Sequence, residues 1–158
     1  MRYIKGDLVK LANEKNYFDA IIHGCNCFCT MGSGIANQIR ELWPQVYKED
    51  CLTKIGDKNK LGCYTHCQVR TKSHKFLVVF NAYTQYNYGR DKVQADYDAI
   101  RKVFHSLSES GYLIGMRIGL PKIGCGLAGG DWNIVEPIIE EELKDFDVTI
   151  VEYSTARF

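Results

Sequence analysis

The chain has 158 residues, of which 46% are apolar and 25% charged. This length and balance fit one globular domain, which we expect to span residues 1–158. The formal net charge of +1 argues against a polycationic face that holds nucleic acid non-specifically, although a local patch can hide within a neutral total.

The apolar pattern predicts strands and helices in alternation. A short opening strand runs from Arg2 to Lys5 and is followed by Gly6-Asp7. The continuous apolar run from Asp19 to Gly24 is typical of a strand buried on both faces. Apolar residues at helical spacing then begin at Gly34, and a second short helix is predicted over Gln45 to Ile55. The sequence predicts no helix between the first two strands.

The second half of the chain continues the alternation. Two strands, a helix, a strand, a helix and a strand are predicted over residues 61–69, 75–83, 93–110, 116–120, 131–143 and 148–153. About six strands interleaved with helices imply a three-layer α/β/α domain with a mixed, mostly parallel sheet. Ligands of such sheets bind outside the carboxyl ends of the strands, so we expect the chemistry there.

The seven cysteines are an odd number, and six of them lie in or beside predicted strands. The amino-terminal residues contain no apolar leader, and no run of 18 apolar residues occurs, so we expect a cytoplasmic protein without a membrane span. Cys25, Cys27 and Cys29 alternate as on one face of a strand, which invites a metal interpretation. The paired spacing of structural zinc sites is absent around them, so we predict neither a metal nor a cofactor.

Two glycine-bearing loops each follow a predicted strand. The first spans Asn26 to Ala36 and the second Gly124 to Gly130. Glycine lets backbone amides close around an anion, and a helix that starts just afterwards adds its positive end. Two such loops on neighbouring strands would hold a diphosphate from both sides. The alternative is that the glycines only allow close helix–strand packing. Neither loop carries a Walker lysine, so an NTPase is not predicted.

In order along the chain, the segments Gly6-Asp7-Leu8, Ala20 to Asn26, Met31 to Ala36 and Leu120 to Gly126 resemble the macrodomain family, whose members bind ADP-ribose. Residues 22–27 and 32–38 are similar to the ADP-ribose 1″-phosphate phosphatase branch. Residues 81–85 and the Gly-Cys-Gly-Leu loop also resemble the terminal ADP-ribose protein glycohydrolase branch. The resemblance implies ADP-ribose or a derivative as ligand, with an ADP-ribosylated protein as a further partner.

The resemblance also implies binding roles. Asp7 would accept a hydrogen bond from the adenine amino group with Leu8 beside it, and Tyr153 would stack on the adenine. Asn26 would hydrogen-bond the distal ribose. The remaining ligand-binding residues, whose amides would hold the phosphates, are Gly32, Ser33, Gly34, Ile35, Ala36, Ile123, Gly124, Cys125, Gly126, Leu127 and Ala128.

Each assignment has a structural alternative. Asp7 can cap a following helix, Asn26 can hold the turn after the strand, and Tyr153 can be an ordinary edge aromatic. Cys125 can be proposed as a nucleophile, but we expect its backbone amide to be the contributing group.

Three residues are candidates for catalysis. The first is His23, because histidine titrates near neutrality and can pass a proton; the alternative is that a histidine in an apolar strand is a core residue. The second is Asn26, three positions later. In the phosphatase-like branch the corresponding histidine is thought to be catalytic. The third candidate, Asp131, would orient or deprotonate water, or would simply cap the helix that begins at Trp132.

We therefore expect metal-free hydrolysis of a group on the distal ribose, with ADP-ribose 1″-phosphate as the first choice of substrate and acetylated or glutamate-linked ADP-ribose as the next. The glycohydrolase branch has an aspartate where this chain has Ala128, and its catalytic lysine has no counterpart near Asn81 to Gln85. This departure speaks against glycohydrolysis through a lysine adduct. A non-catalytic reader of ADP-ribose and a redox or metal protein built on the cysteines remain the alternatives.

Overall fold

The structure is a computed structural model that describes residues 1–155. Its regular elements are β1 (Arg2–Gly6), α1 (Leu8–Glu14), β2 (Ala20–Cys25), α2 (Gly34–Leu42), α3 (Pro44–Cys51), β3 (Tyr64–Arg70), β4 (Phe76–Tyr83), α4 (Tyr97–Glu109), β5 (Arg117–Leu120), α5 (Trp132–Glu142) and β6 (Asp147–Tyr153), with a short 3-10 turn at Lys58–Lys60.

The strands form one six-stranded sheet in the order β1-β6-β5-β2-β4-β3. All neighbouring pairs are parallel except β3 and β4, which are antiparallel. The predicted mixed, mostly parallel sheet is therefore confirmed. Strands β2 and β5, which precede the two glycine loops, are hydrogen-bonded neighbours, so both loops leave the same edge of the sheet.

Helices cover both faces of this sheet. On one face, α4 and α5 pack against alternate residues of the central strands, including Ile22 and Phe80. On the other face, α1, α2 and α3 cover the residues between them, such as Ile21 and Val79. Strand β2 is buried on both faces, as its continuous apolar run predicts. The three-layer architecture is confirmed.

Helix α1 is an element that the predicted order lacks. Asp7 is its N-cap, with a side-chain oxygen that accepts a hydrogen bond from the Lys10 amide at 3.1 Å. Leu8, Val9 and Ala12 are buried on the core face of the helix. With only seven residues, the helix contains too few turns to produce a clear apolar period in the sequence.

Helix α4 begins at Tyr97, later than the apolar period that starts at Val93 predicts. The amides of Gln94 and Ala95 donate to the Ala128 carbonyl at 2.8 and 3.3 Å, which holds this segment against the second glycine loop instead of in the helix. Asp96 then caps the helix by accepting from the Ala99 amide. The other predicted elements are confirmed with ends shifted by a few residues. Within the described part of the chain, every helix is too short or too polar to cross a membrane.

Candidate functional site

A cleft of about 1130 Å³ opens at the carboxyl ends of the parallel strands. Both glycine loops line it. A Cβ built on Gly34 would stand 3.9 Å from Leu127 Cδ1 of the second loop, so the loops meet across the cleft. The predicted juxtaposition of the two loops is thus present in the structure. It arises because β2 and β5 are adjacent in the sheet.

The first loop ends in the N-terminus of α2, with Ser33 as the N-cap residue. Its side chain makes no capping hydrogen bond. The first amides of a helix have no carbonyl partner within the helix. Among residues 1–155, the amides from Ser33 to Ala36 have no acceptor. These donors line the cleft wall, and the positive end of the helix dipole adds to them.

The second loop turns sharply at Gly124, whose φ is +74°, a conformation that favours glycine. The Cys125 amide donates to the Lys122 carbonyl at 3.1 Å, and the Gly130 amide donates to the Gly124 carbonyl at 2.8 Å. Within the described residues, the amides of Gly126, Leu127 and Ala128 have no acceptor. Two rows of unpaired N–H groups therefore border one cleft, as in an anion-binding site.

Gly130 lets the chain return close to Gly124 at the end of the second loop, because it has no Cβ. A Cβ there would lie 2.5 Å from the Gly124 carbonyl oxygen, whereas a Cβ on Gly126 would meet nothing within 4 Å. We expect Gly130→Ala to lower the free energy of unfolding by about 1–3 kcal/mol, because the backbone must shift. Gly126→Ala, the same change in the same loop, should alter it by less than about 1 kcal/mol. Urea unfolding measures both, and equal stabilities would contradict this account of the loop.

Asp7, Leu8 and Tyr153 stand together at the β1–β6 end of the cleft. The Asp7 carboxylate caps α1 and also accepts from Gln38 Nε2 at 3.2 and 3.3 Å. Its capping role and its place on the cleft wall are therefore compatible. Tyr153 is 72% exposed, so its ring is open to a planar partner.

Asn26 lies on the cleft wall directly after β2. Its side-chain amide donates to Thr30 Oγ1 at 2.7 Å, and its side-chain oxygen accepts from the Phe28 amide at 2.8 Å. The side chain thus holds the turn of the first loop, which was the structural alternative, while remaining at the cleft surface.

His23 lines the floor of the cleft but is only 1% exposed. Its Nε2 lies 2.6 Å from Asn81 Oδ1. The Asn81 amide nitrogen donates to the Val46 carbonyl and to Thr65 Oγ1, which directs Oδ1 to His23. Nε2 therefore carries the proton and Nδ1 is the acceptor. Burial lowers the pKa of His23 to about 4, so the imidazole is neutral at pH 7.

Asp131 is the one predicted site residue that is not on the cleft wall. It caps α5 by accepting from the Asn133 amide at 2.9 Å, and its own amide donates to the Tyr97 hydroxyl. Cys125 does line the cleft. Burial raises the pKa of its thiol to about 11, so it is protonated and a poor nucleophile at neutral pH.

Several cleft residues received no role from the sequence. Gln38, Asp50, Gln85, Tyr88 and Arg90 all line the cleft. Asp50 lies on α3, is 1% exposed and accepts from the Tyr83 hydroxyl at 2.8 Å; burial raises the pKa of its carboxyl. A lone acid in a predicted amphipathic helix gives no sequence signal. Gln85 could have been predicted, because it lies two residues after the end of the predicted strand over 75–83, within the segment 81–85 that carries the resemblance.

No group of three or more His, Cys, Asp or Glu side chains converges on a common point anywhere in residues 1–155. Burial raises the pKa of Cys25, and that of Cys27 to about 11, which opposes the thiolate form that metals bind.

A family model described as Macro domain matches residues 22–139. The chain belongs to the Macro domain family. The match covers both loops, all of β5 and most of β2, and it confirms the resemblance inferred from the sequence.

Curated relatives align along nearly the whole macrodomain. An uncharacterized 17.5 kDa protein of Enterobacteria phage T4 is 39% identical and covers 97% of this chain and 96% of its own. An ADP-ribose 1″-phosphate phosphatase of Saccharomyces cerevisiae is 22% identical, with 95% and 97% covered. The ADP-ribose glycohydrolase OARD1 of Bos taurus is 26% identical, with 96% and 90% covered.

Solved structures share the fold. A protein from Bacteroides thetaiotaomicron superimposes with a TM-score of 0.74 at 29% identity, covering 96% of this chain and 99% of its own. Thermosipho africanus DarTG in complex with ADP-ribose gives a TM-score of 0.74 at 17% identity, covering 99% of this chain and 42% of its own.

Proposed function

We propose that this macrodomain binds ADP-ribose in the cleft and hydrolyses a group attached to its distal ribose. One observation carries the proposal: two rows of unpaired backbone amides, from Ser33 to Ala36 and from Gly126 to Ala128, border a single cleft. A diphosphate offers acceptor oxygens to both rows at once. The names of the phosphatase and glycohydrolase relatives support ADP-ribose as the nucleotide.

In this proposal the ligand lies along the strand ends. The adenine occupies the end with Asp7, Leu8 and Tyr153. There the Asp7 carboxylate accepts a hydrogen bond from the adenine amino group, and the exposed Tyr153 ring stacks on the base. The diphosphate lies between the two loops. The distal ribose then reaches Asn26, the first residue of the first loop, at the end of β2.

The proposed substrate is ADP-ribose 1″-phosphate. Water attacks the terminal phosphorus, the bond from phosphorus to the 1″ oxygen breaks, and the products are ADP-ribose and inorganic phosphate. We assign the orientation and deprotonation of the water to His23 rather than to Asp131, because His23 lines the cleft. In the neutral ring Nδ1 carries the lone pair at pH 7, and its recorded contact is Cys25 Sγ at 3.8 Å. Amides of the loops stabilise the charge that develops on the phosphate.

A non-catalytic reader of ADP-ribose or of ADP-ribosylated proteins is the second candidate. Ala128 favours it, because this cleft residue brings no charged group to the second loop. The position of Asp131 outside the cleft favours it as well.

Calorimetry with ADP-ribose, AMP and ATP tests binding first. We expect ADP-ribose to bind more tightly than the other two, because it alone fills both ends of the cleft and the diphosphate position. Phosphate release from ADP-ribose 1″-phosphate tests the reaction. His23→Gln should slow release by at least about a hundredfold while the Kd for ADP-ribose stays within twofold, since general base catalysis contributes 10²–10⁴.

The outcomes separate the two candidates. Tight binding of ADP-ribose without turnover of ADP-ribose 1″-phosphate or of acetylated ADP-ribose would support the non-catalytic reader and overturn the hydrolase. Failure to bind ADP-ribose would overturn both proposals.

A further inference from the structure

The cleft continues past the two glycine loops to an end formed by residues that follow β4. Strand β4 lies beside β2 on the side away from β5, so its carboxyl end is opposite to the end with Asp7 and Tyr153. Gln85, Tyr88 and Arg90 line the cleft here. In the proposed arrangement of the ligand, a group attached to the distal ribose would extend towards this end.

The segment 86–95 is tied to both glycine loops. At its start, the Tyr86 carbonyl accepts from the Cys27 amide at 2.9 Å, and the Phe28 ring makes edge contacts with Tyr86 and Tyr88, at 5.0 and 6.2 Å between ring centroids. At its end, the Gln94 amide donates to the Ala128 carbonyl at 2.8 Å. The segment therefore spans from one loop to the other, with Arg90 near its middle.

Among the residues that the structure describes, two cationic side chains line the cleft, Lys122 and Arg90. Lys122 Nζ is paired with Glu152 at 3.0 Å. Arg90, in contrast, has no hydrogen bond or ion pair with any residue in the range 1–155. Its neighbour Asp91 is turned to Gly89, with Oδ1 3.1 Å from the Cβ position of that glycine. Asp50, the acid at this end, is buried and bound to the Tyr83 hydroxyl.

An unpaired guanidinium on the wall of a cleft is suited to an anion. Guanidinium presents donors in a fork that matches phosphate geometry, and a charge-assisted hydrogen bond is about twice as strong as a neutral one. We propose that Arg90 recognises the phosphate on the distal ribose and so selects ADP-ribose 1″-phosphate over ADP-ribose with an uncharged substituent. This inference rests on the proposed function, and it assigns a specificity-determining role to a residue outside both glycine loops.

The test compares wild type, Arg90→Ala, Arg90→Lys and Lys92→Ala. Lys92 is the matched control, because it is an exposed cation of the same segment that does not line the cleft. Binding of ADP-ribose is measured by calorimetry, and binding of ADP-ribose 1″-phosphate by competition in the cold. Steady-state phosphate release and hydrolysis of acetylated ADP-ribose complete the comparison.

We expect Arg90→Ala to weaken the binding of ADP-ribose 1″-phosphate, so that its KM or Kd rises by about tenfold to a hundredfold. The Kd for ADP-ribose and the KM for acetylated ADP-ribose should change less than threefold. Arg90→Lys should lie between, since it keeps the charge without the fork, and Lys92→Ala should equal wild type. The competition measurement gives the answer even if the protein is a reader without turnover.

Three results would overturn the inference while the proposed function stands. Arg90→Ala equals wild type on ADP-ribose 1″-phosphate, or it weakens all three ligands alike, or Lys92→Ala causes the same loss. If wild type does not bind ADP-ribose at all, the proposed function fails and this inference fails with it.

Discussion

A Gly126→Glu variant is expected to fold like wild type and to bind ADP-ribose at least about a hundredfold more weakly. A Cβ at position 126 meets no atom within 4 Å, so the side chain has room. Gly126 lines the cleft in the row of free amides of the second loop. A carboxylate there stands where the proposal places the diphosphate, and like charges at about 4 Å repel by several kcal/mol near a protein surface.

Calorimetry with ADP-ribose measures the loss, and urea unfolding checks the fold. Gly126→Ala is the matched control, because it adds a Cβ at the same position without a charge and should retain binding. Full binding by Gly126→Glu would remove the second loop from the phosphate site.

The stability of the protein is expected to fall by about 2 kcal/mol between pH 7 and pH 5 through His23 alone. Burial lowers the pKa of His23 from 6.5 to about 4 in the folded state. The unfolded chain therefore takes up a proton as pH falls below about 6.5, while the folded protein resists protonation until about pH 4. The contribution of His23 is full above pH 6.5 and decreases through this window, to a total of about 3 kcal/mol.

Urea unfolding of wild type and His23→Gln at several pH values isolates this effect, because glutamine does not titrate. The comparison cancels Asp50, whose raised pKa acts in the opposite direction, and Asp19, whose pKa is lowered by the hydrogen bond from Arg117. NMR of the wild-type imidazole gives an independent measurement, with ring shifts constant between pH 8 and 5.5. Parallel pH profiles of the two proteins, or a titration near pH 6.5, would contradict the burial of His23.

Much of the site could be predicted from local sequence. The glycines at 32, 34, 124 and 126 predict two loops after strands. Because glycine has no Cβ, an anion can approach the backbone amides of such loops. The continuous apolar run before the first loop predicts a central strand, and the structure places it between β5 and β4. These features depend on residue type and spacing alone.

Other parts depend on contacts between distant segments. His23 was expected to titrate near neutrality, but burial lowers its pKa to about 4 and outweighs the hydrogen bond from Nε2 to Asn81, 58 residues away, which raises the pKa. Asp131 looks equally suitable in sequence, yet the structure uses it to cap α5 away from the cleft. A pKa reflects the solvent and the charges around a group, which no local pattern records.

The sequence by itself determined the strands of the sheet, every helix except α1 and the two loops that border the cleft, since periodicity and glycine positions are local properties of the chain. Only the tertiary structure decided which side chains face that cleft. Arg90 became a candidate because the segment after β4 is fastened to Phe28 and Ala128, and Gly130 became a packing site because the chain returns to the Gly124 carbonyl. Such placements come from long-range packing and hydrogen bonds, whose partners are adjacent only after the chain has folded.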